Sequence, residues 1–256
     1  MALSPASLSF TPEVPVFDAQ ICVGAGRSSV GPAASRAPLL AELDRHGVAR
    51  ALAYHIHAEE FSPLRGNQLL EPWLEDDDRL APLWSALPTS DSLAQLEQLL
   101  RAGRVRAVRL AAAQGLPLAD WTHGELFDWL SAAELPLWLA LPEFDARDLV
   151  SVLRSYPRLR LVLTGTHYSQ TLLAHKLLAA LPGAYLELSR FESLDAIGDL
   201  VRRFGAGRLI YGSGYPRYAI GPVLYMLHRS GLTDAALAHI CAGSLEQLLG
   251  LVGAQR

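Results

Sequence analysis

Short β-branched or leucine-rich runs recur along this chain, each followed by a stretch of helical period. That alternation limits the available folds more than any other feature. The runs cover residues 14–22, 49–57, 80–87, 105–112, 135–141, 159–165, 184–189 and 208–213. Apolar runs of this length suit strands covered on both faces, as in a parallel sheet flanked by helices. Between them lie helical segments such as "DSLAQLEQLLRAG", "TLLAHKLLAAL" and "SLDAIGDLVRRFG". The first and third carry Asp or Ser where an N-cap is wanted, and both end at glycine.

Eight strand–helix units in 256 residues, with no composition break between them, predict one closed parallel α/β barrel. The expected fold is therefore a (β/α)8 TIM barrel in a single domain over 1–256, with residues 1–12 as a loose N-terminal arm. An open doubly wound sheet is the competing architecture. Against it, "GAGRSS" after the first run has two glycines and then stops, short of the G-x-G-x-x-G loop. The tail, 233–251, predicts an additional C-terminal helix across the outside or bottom of the barrel.

Composition narrows the partners. Half the chain is apolar, enough for a large core, and the net charge of −4 comes without a long basic run, which argues against nucleic acid. No stretch approaches the roughly 18 uninterrupted apolar residues of a membrane span. The start lacks the basic and apolar regions of a secretory signal. Two cysteines far apart, Cys22 and Cys241, give neither a disulfide framework nor a paired zinc motif, a usage that suits a reducing cytoplasm. A small-molecule substrate or ligand is the expected partner, and a homo-oligomer stays open.

Several stretches together resemble the amidohydrolase-related family of metal-dependent barrel hydrolases and decarboxylases. "FDAQICVG" is similar to that family's D-x-H-x-H-x-G at strand one, "LPLWLA" and "LVLTGTH" to its fifth and sixth strands, "LIYGSGYP" to its G-S-D-x-P, and "AGSLEQLLGL" to its C-terminal G-N-x-x-x-L-L-G-L. The resemblance runs over 16–251 and implies the barrel. It also implies that the metal-binding histidines fall here on Gln20, Cys22, Ala140 and Gly165, and the catalytic aspartate on Gly214. A catalytic zinc needs about three anionic or imidazole ligands and an open position for water. On that basis no metal and no cofactor are expected, and the five positions should cluster at one barrel mouth.

Alternation suggests what remains there. In "ALAYHIHAEE", Leu52, Tyr54 and Ile56 are read as the outer face, which turns His55 and His57 to the lumen. That pair, with His167 of "TGTHYSQ", forms the candidate catalytic set, for proton transfer or substrate bonding. A relocated metal on Cys22, His55, His57 and His167 is a weaker alternative. The bland readings place His57 on the rim, His55 on a carbonyl and His167 as a cap of the next helix.

Arg109 shares a face with Ala107 and Ala111, a setting for a carboxylate or phosphate, unless Glu187 already holds it inside the barrel. Gln20, Cys22, Arg190 and Tyr215 complete the candidate substrate-binding set. Asp18 is read as structural and "EDDDR" as a solvated acidic turn, while Arg27, Asn67, Arg190 and Tyr215 sit in strand-following loops or helix starts, where surface solvation is the favoured alternative to substrate contact for each alone. Two functions stay in play. One is an amidohydrolase-like enzyme acting without a metal centre on a small anionic compound, by hydrolysis, decarboxylation or isomerisation. The other is a non-catalytic barrel that binds a metabolite or protein partner.

Overall fold

The computed structural model describes residues 10–27, 32–74, 78–111 and 116–251. The first nine residues of the expected arm and most of the acidic turn "EDDDR" lie outside the described residues. Within the described part, Phe10 sets its ring edge-on against Tyr225 and His228 at 5.3 and 5.0 Å.

The strands run in chain order: β1 (Phe17–Val23), β2 (Arg50–His55), β3 (Leu80–Pro82), β4 (Trp84–Ala86), β5 (Val108–Leu110), β6 (Leu137–Ala140), β7 (Leu161–Thr164), β8 (Ala184–Glu187) and β9 (Leu209–Ile210). Every neighbouring pair is parallel. β3 and β4 flank Leu83, whose N–H still reaches Ala53 O at 2.8 Å, so they act as one barrel strand. The ring closes between β9 and β1. Ala19 N donates to Tyr211 O at 3.1 Å, Gly214 N to Gln20 O at 3.1 Å and Cys22 N to Tyr215 O at 2.7 Å. The (β/α)8 barrel is thus the observed fold.

Helices cover the outside: α1 (Arg36–Arg45), α2 (His57–Glu60), α3 (Pro63–Leu70), α4 (Ser90–Arg101), α5 (Asp120–Ala132), α6 (Ala146–Leu153), α7 (Thr171–Ala180), α8 (Leu194–Phe204) and α9 (Gly221–Arg229). Of the caps read from sequence, the glycine end holds at α8, where Gly205 has φ of 84°. The starts differ: α4 is capped by Thr89, whose side chain accepts from Ser92 N, with Asp91 inside the helix, and Ser193 ahead of α8 makes no side-chain cap hydrogen bond. Past α9, helix α10 (Asp234–Ala238), a π turn at His239–Gly243 and α11 (Ser244–Leu248) form the expected additional helix. It closes the bottom: Leu245, Leu248 and Leu249 pack with Phe17, Leu52 and Leu83, and Glu246 pairs with Arg50 at the start of β2.

Two apolar layers result. One lies between strands and helices; the other fills the lumen and contains Ala19, Leu52, Tyr54, Ala107, Trp138, Val162 and Ile210. This corrects the expected phase of β2. Leu52 and Tyr54 face inward, while Ala51 and Ala53 belong to the layer under the helices. A barrel lumen is a packed core that takes large side chains, and alanines outside let helices approach closely. Trp138 is the main lumen filler. It is fully buried, and its indole N–H crosses from β6 to Ala19 O on β1 at 3.1 Å. Trp138→Ala is expected to cost about 3–5 kcal/mol. Trp138→Phe, which keeps an aromatic ring but loses the hydrogen bond and part of the indole volume, should cost less, about 2–3 kcal/mol; urea unfolding of both variants checks the order.

Candidate functional site

The C-terminal ends of the strands open onto one cleft of about 520 Å³, within the range of small-molecule sites. Gln20, Cys22, Ala140, Gly165 and Gly214 all line it, as their placement at one mouth required. A bulge between Asp18 and Ile21 shifts the register of β1, and both Gln20 and Cys22 reach the cleft.

The wall is built on Glu59, the third residue of α2. Its carboxylate accepts from the Tyr54 hydroxyl at 2.8 Å, from Arg109 Nη2 at 3.2 Å and from Arg217 Nη2 at 2.5 Å. Burial pushes the Glu59 carboxyl up, but the two guanidiniums outweigh it and hold it below its ordinary range. Arg109 is 6% exposed, lies 4.3 Å from the Tyr54 ring centre, and leaves Nη1 buried with no partner among the described residues. Arg190 also lines the cleft and stacks on Tyr218 at 5.1 Å. Glu143, exposed as a residue, turns its carboxyl to the cleft, where burial pushes it up against the opposing pull of Arg109.

Arg109 therefore pairs with Glu59, not with Glu187. Glu187 is fully buried, and its carboxyl accepts from Ser189 N at 2.7 Å and Ser189 Oγ at 2.9 Å. Burial pushes Glu187 up to about 8. Asp18, also fully buried, accepts from Gln20 N at 3.1 Å and Ser213 N at 2.9 Å, and burial pushes it up to about 6. Its Oδ2 has no hydrogen-bond partner among the described residues.

The three candidate imidazoles do not line the cleft. His55 points out of the lumen and packs beneath Gly24, its Nδ1 accepts from His57 N at 3.2 Å, and burial pushes it down to about 4. His57 starts α2 with its ring 4.7 Å from Phe61. His167 caps the next turn, with Nδ1 2.8 Å from Ser169 Oγ. Tyr215 is buried behind the wall, its N–H on Ser213 Oγ at 3.0 Å. Asn67 is not a surface residue: its amide clamps Ser85 on both sides, donating to Ser85 O and accepting from Ser85 N at 2.9 Å each. Arg27 N donates to Glu60 at 2.8 Å.

Sequence reasoning missed Tyr54, Glu59, Arg217 and Ser189 as cleft residues. The opposite phase of β2 would have exposed Tyr54. "GYPRY", just past the last strand, places Arg217 where such barrels carry function.

The donor set does not fit a resident divalent ion. The strand ends offer an amide, a methyl, two glycines and one thiol, which burial pushes up to about 12 and so keeps protonated. Among the described residues, no group of three His, Cys, Asp or Glu side chains is placed to hold a metal. Nor is any helix there long and apolar enough to cross a membrane.

Residues 21–242 match the sequence profile of the family described as Amidohydrolase. No curated protein matches the chain. Among solved structures, the 5-carboxyvanillate decarboxylase of Sphingomonas paucimobilis superposes with a TM-score of 0.74 at 12% identity, covering 93% of this chain and 99% of that one. The 2,6-dihydroxybenzoate decarboxylase of Rhizobium gives 0.72 at 13% identity, covering 94% and 100%. A dihydroxybenzoic acid decarboxylase from Polaromonas sp. JS666, with bound manganese and the inhibitor 2-nitroresorcinol, gives 0.72 at 13%, covering 94% and 98%. At these identities the likeness is one of fold.

The buried acids generate a pH prediction. Below about pH 4.5 both folded and unfolded chains keep the Glu187 proton; between there and about pH 8 the unfolded chain releases it first, so native stability falls as pH rises. Glu187→Gln is expected to melt like wild type near pH 4 and to remove a loss on the order of 3–5 kcal/mol by about pH 9. Melts across that range check it; parallel curves for both proteins would count against the assignment.

Proposed function

The chain belongs to the amidohydrolase family, and we propose that its barrel mouth holds a small carboxylated compound through Arg109 and Arg217 and releases the carboxylate as carbon dioxide, with no resident metal ion. The observation that carries this reading is Arg109, which lines the cleft and keeps a buried Nη1 with no partner among the described residues. Two guanidiniums share the carboxylate of Glu59, and Glu143 faces Arg109 from the cleft, so what is left for a ligand is the unsatisfied N–H of Arg109 rather than a net charge. A planar guanidinium with a free edge suits a carboxylate, and its low exposure strengthens the attraction. The structural relatives named as decarboxylases of carboxylated aromatic rings support the reaction class.

In this reading His55, His57 and His167 support the loops around the cleft. Cys22, Gln20 and Arg190 contact the body of the ligand. The protein works as a single barrel domain on a small molecule, in a reducing compartment that keeps Cys22 and Cys241 as thiols.

A second reading, a barrel that binds without turnover, is favoured by one observation: the five strand-end positions offer no ionisable group except a thiol held protonated. Release of carbon dioxide from 2,6-dihydroxybenzoate or 5-carboxyvanillate by the purified, metal-free protein separates the two.

Binding is tested by calorimetry with benzoate and benzamide. Benzoate should bind and benzamide bind much more weakly. Arg109→Met should weaken benzoate by roughly tenfold or more, about 1.4 kcal/mol. The variant should stay folded, because Glu59 keeps Arg217 and the Tyr54 hydroxyl. Equal benzoate affinity in wild type and Arg109→Met would remove the guanidinium from the site.

A further inference from the structure

Behind Ser189 in the cleft wall lies a carboxyl group that the reading above leaves without a task. Glu187, at the end of β8, has no solvent-exposed surface. The backbone of Gly212 passes so close that a side chain there would collide with its Oε1 and Cδ atoms. Its one side-chain hydrogen-bond partner among the described residues is the Ser189 hydroxyl, at 2.9 Å. Ser189 in turn lines the cleft. Its Oγ lies 3.5 Å from the point where a side chain on Gly214 would begin, and with glycine there that space belongs to the cleft.

We infer that Ser189 and Glu187 form a proton relay from the barrel interior to the cleft floor, with Ser189 touching the substrate and Glu187 storing the proton behind it. The inference deepens the proposed decarboxylation and rests on it for the identity of the acceptor. Ser189 Oγ–H passes its proton to the carbon that bears the carboxylate, while the Glu187 O–H proton moves to Ser189 Oγ. The carbon–carbon bond then breaks, its electron pair returns to the substrate ring, and carbon dioxide leaves. Glu187 is left as a carboxylate and regains a proton from water through Ser189 once product departs.

The surroundings fit a proton store better than a fixed charge. Desolvation favours the neutral acid. Asp18 on β1 faces Glu187 as a like charge, and the Tyr211 ring comes from beyond β9 with its hydroxyl turned to Ile220 O at 3.0 Å. No Arg or Lys side chain makes a hydrogen bond or ion pair with Glu187 among the described residues. A carboxyl placed only to brace the strand end would need no path to the cleft. Ser189 supplies that path through one hydroxyl.

The test follows the proton itself. Infrared spectra of the free protein, with isotopically labelled glutamate to separate Glu187 from Asp18, should show a protonated carboxyl near neutral pH that is lost in Glu187→Gln. After a jump from about pH 6 to about pH 10, across the value near 8 where burial holds Glu187, the band should decay through Ser189. Ser189→Ala should slow that decay on the order of tenfold or more, and Ser189→Thr should restore it. A brace would leave the rate unchanged. Saturating benzoate should slow the decay in wild type by covering the cleft.

An unchanged rate in Ser189→Ala, or no protonated glutamate near neutrality, overturns the relay. A slowed Ser189→Ala together with no effect of benzoate keeps the relay and sinks the carboxylate reading of the cleft.

Discussion

Closure of the ring between its first and last strands is the constraint on which the rest depends. Three backbone hydrogen bonds link β1 to the segment after β9, and the Asp18 carboxylate adds a fourth link to Ser213 N. Strands this short, β9 having two residues, form few ladder bonds each and are stable only inside a closed sheet. Closure sets the register of β1, and with it the bulge that brings Gln20 and Cys22 to the same opening. Trp138 ties the opposite side of the ring to the same strand through Ala19 O.

Within that ring the ionisable groups divide into two zones with opposite character. Around Glu59, two guanidiniums hold the carboxylate in its charged form, in a partly wet opening that Glu143 also faces. Around Glu187 and Asp18, there is no such compensation, and the same burial drives the acids towards their neutral forms. The contrast comes from neighbours. An acid beside arginine stays an anion, whereas an acid beside backbone and another acid becomes a reservoir of protons.

The barrel was legible in the chain because its signal is repeated: eight apolar runs of strand length with helical stretches between them survive errors in any one element. The cluster of Gln20, Cys22, Ala140, Gly165 and Gly214 followed from motif order. The facing of β2 was not legible, since Leu52–Tyr54–Ile56 and Ala51–Ala53–His55 are both acceptable faces until the lumen is known to need volume. That one ambiguity moved His55 and His57 into the cleft on paper and left Tyr54 out. Glu59 and Arg217 escaped for another reason: they meet across a sequence separation of 158, where no local pattern joins them.

Gly165 and Gly214 have φ of 71° and 65°, in the left-handed region that residues with a Cβ rarely adopt. These are the positions where the family resemblance places a histidine and the catalytic aspartate. A side chain at Gly165 would press on Pro142 Cδ at 3.2 Å, and one at Gly214 on the Tyr218 ring at 3.0 Å. The backbone at both strand ends holds a shape that disfavours any side chain there. Installing metal ligands at these two positions would take a concerted rebuilding of two loops, because the barrier lies in torsion angles as well as in donor atoms.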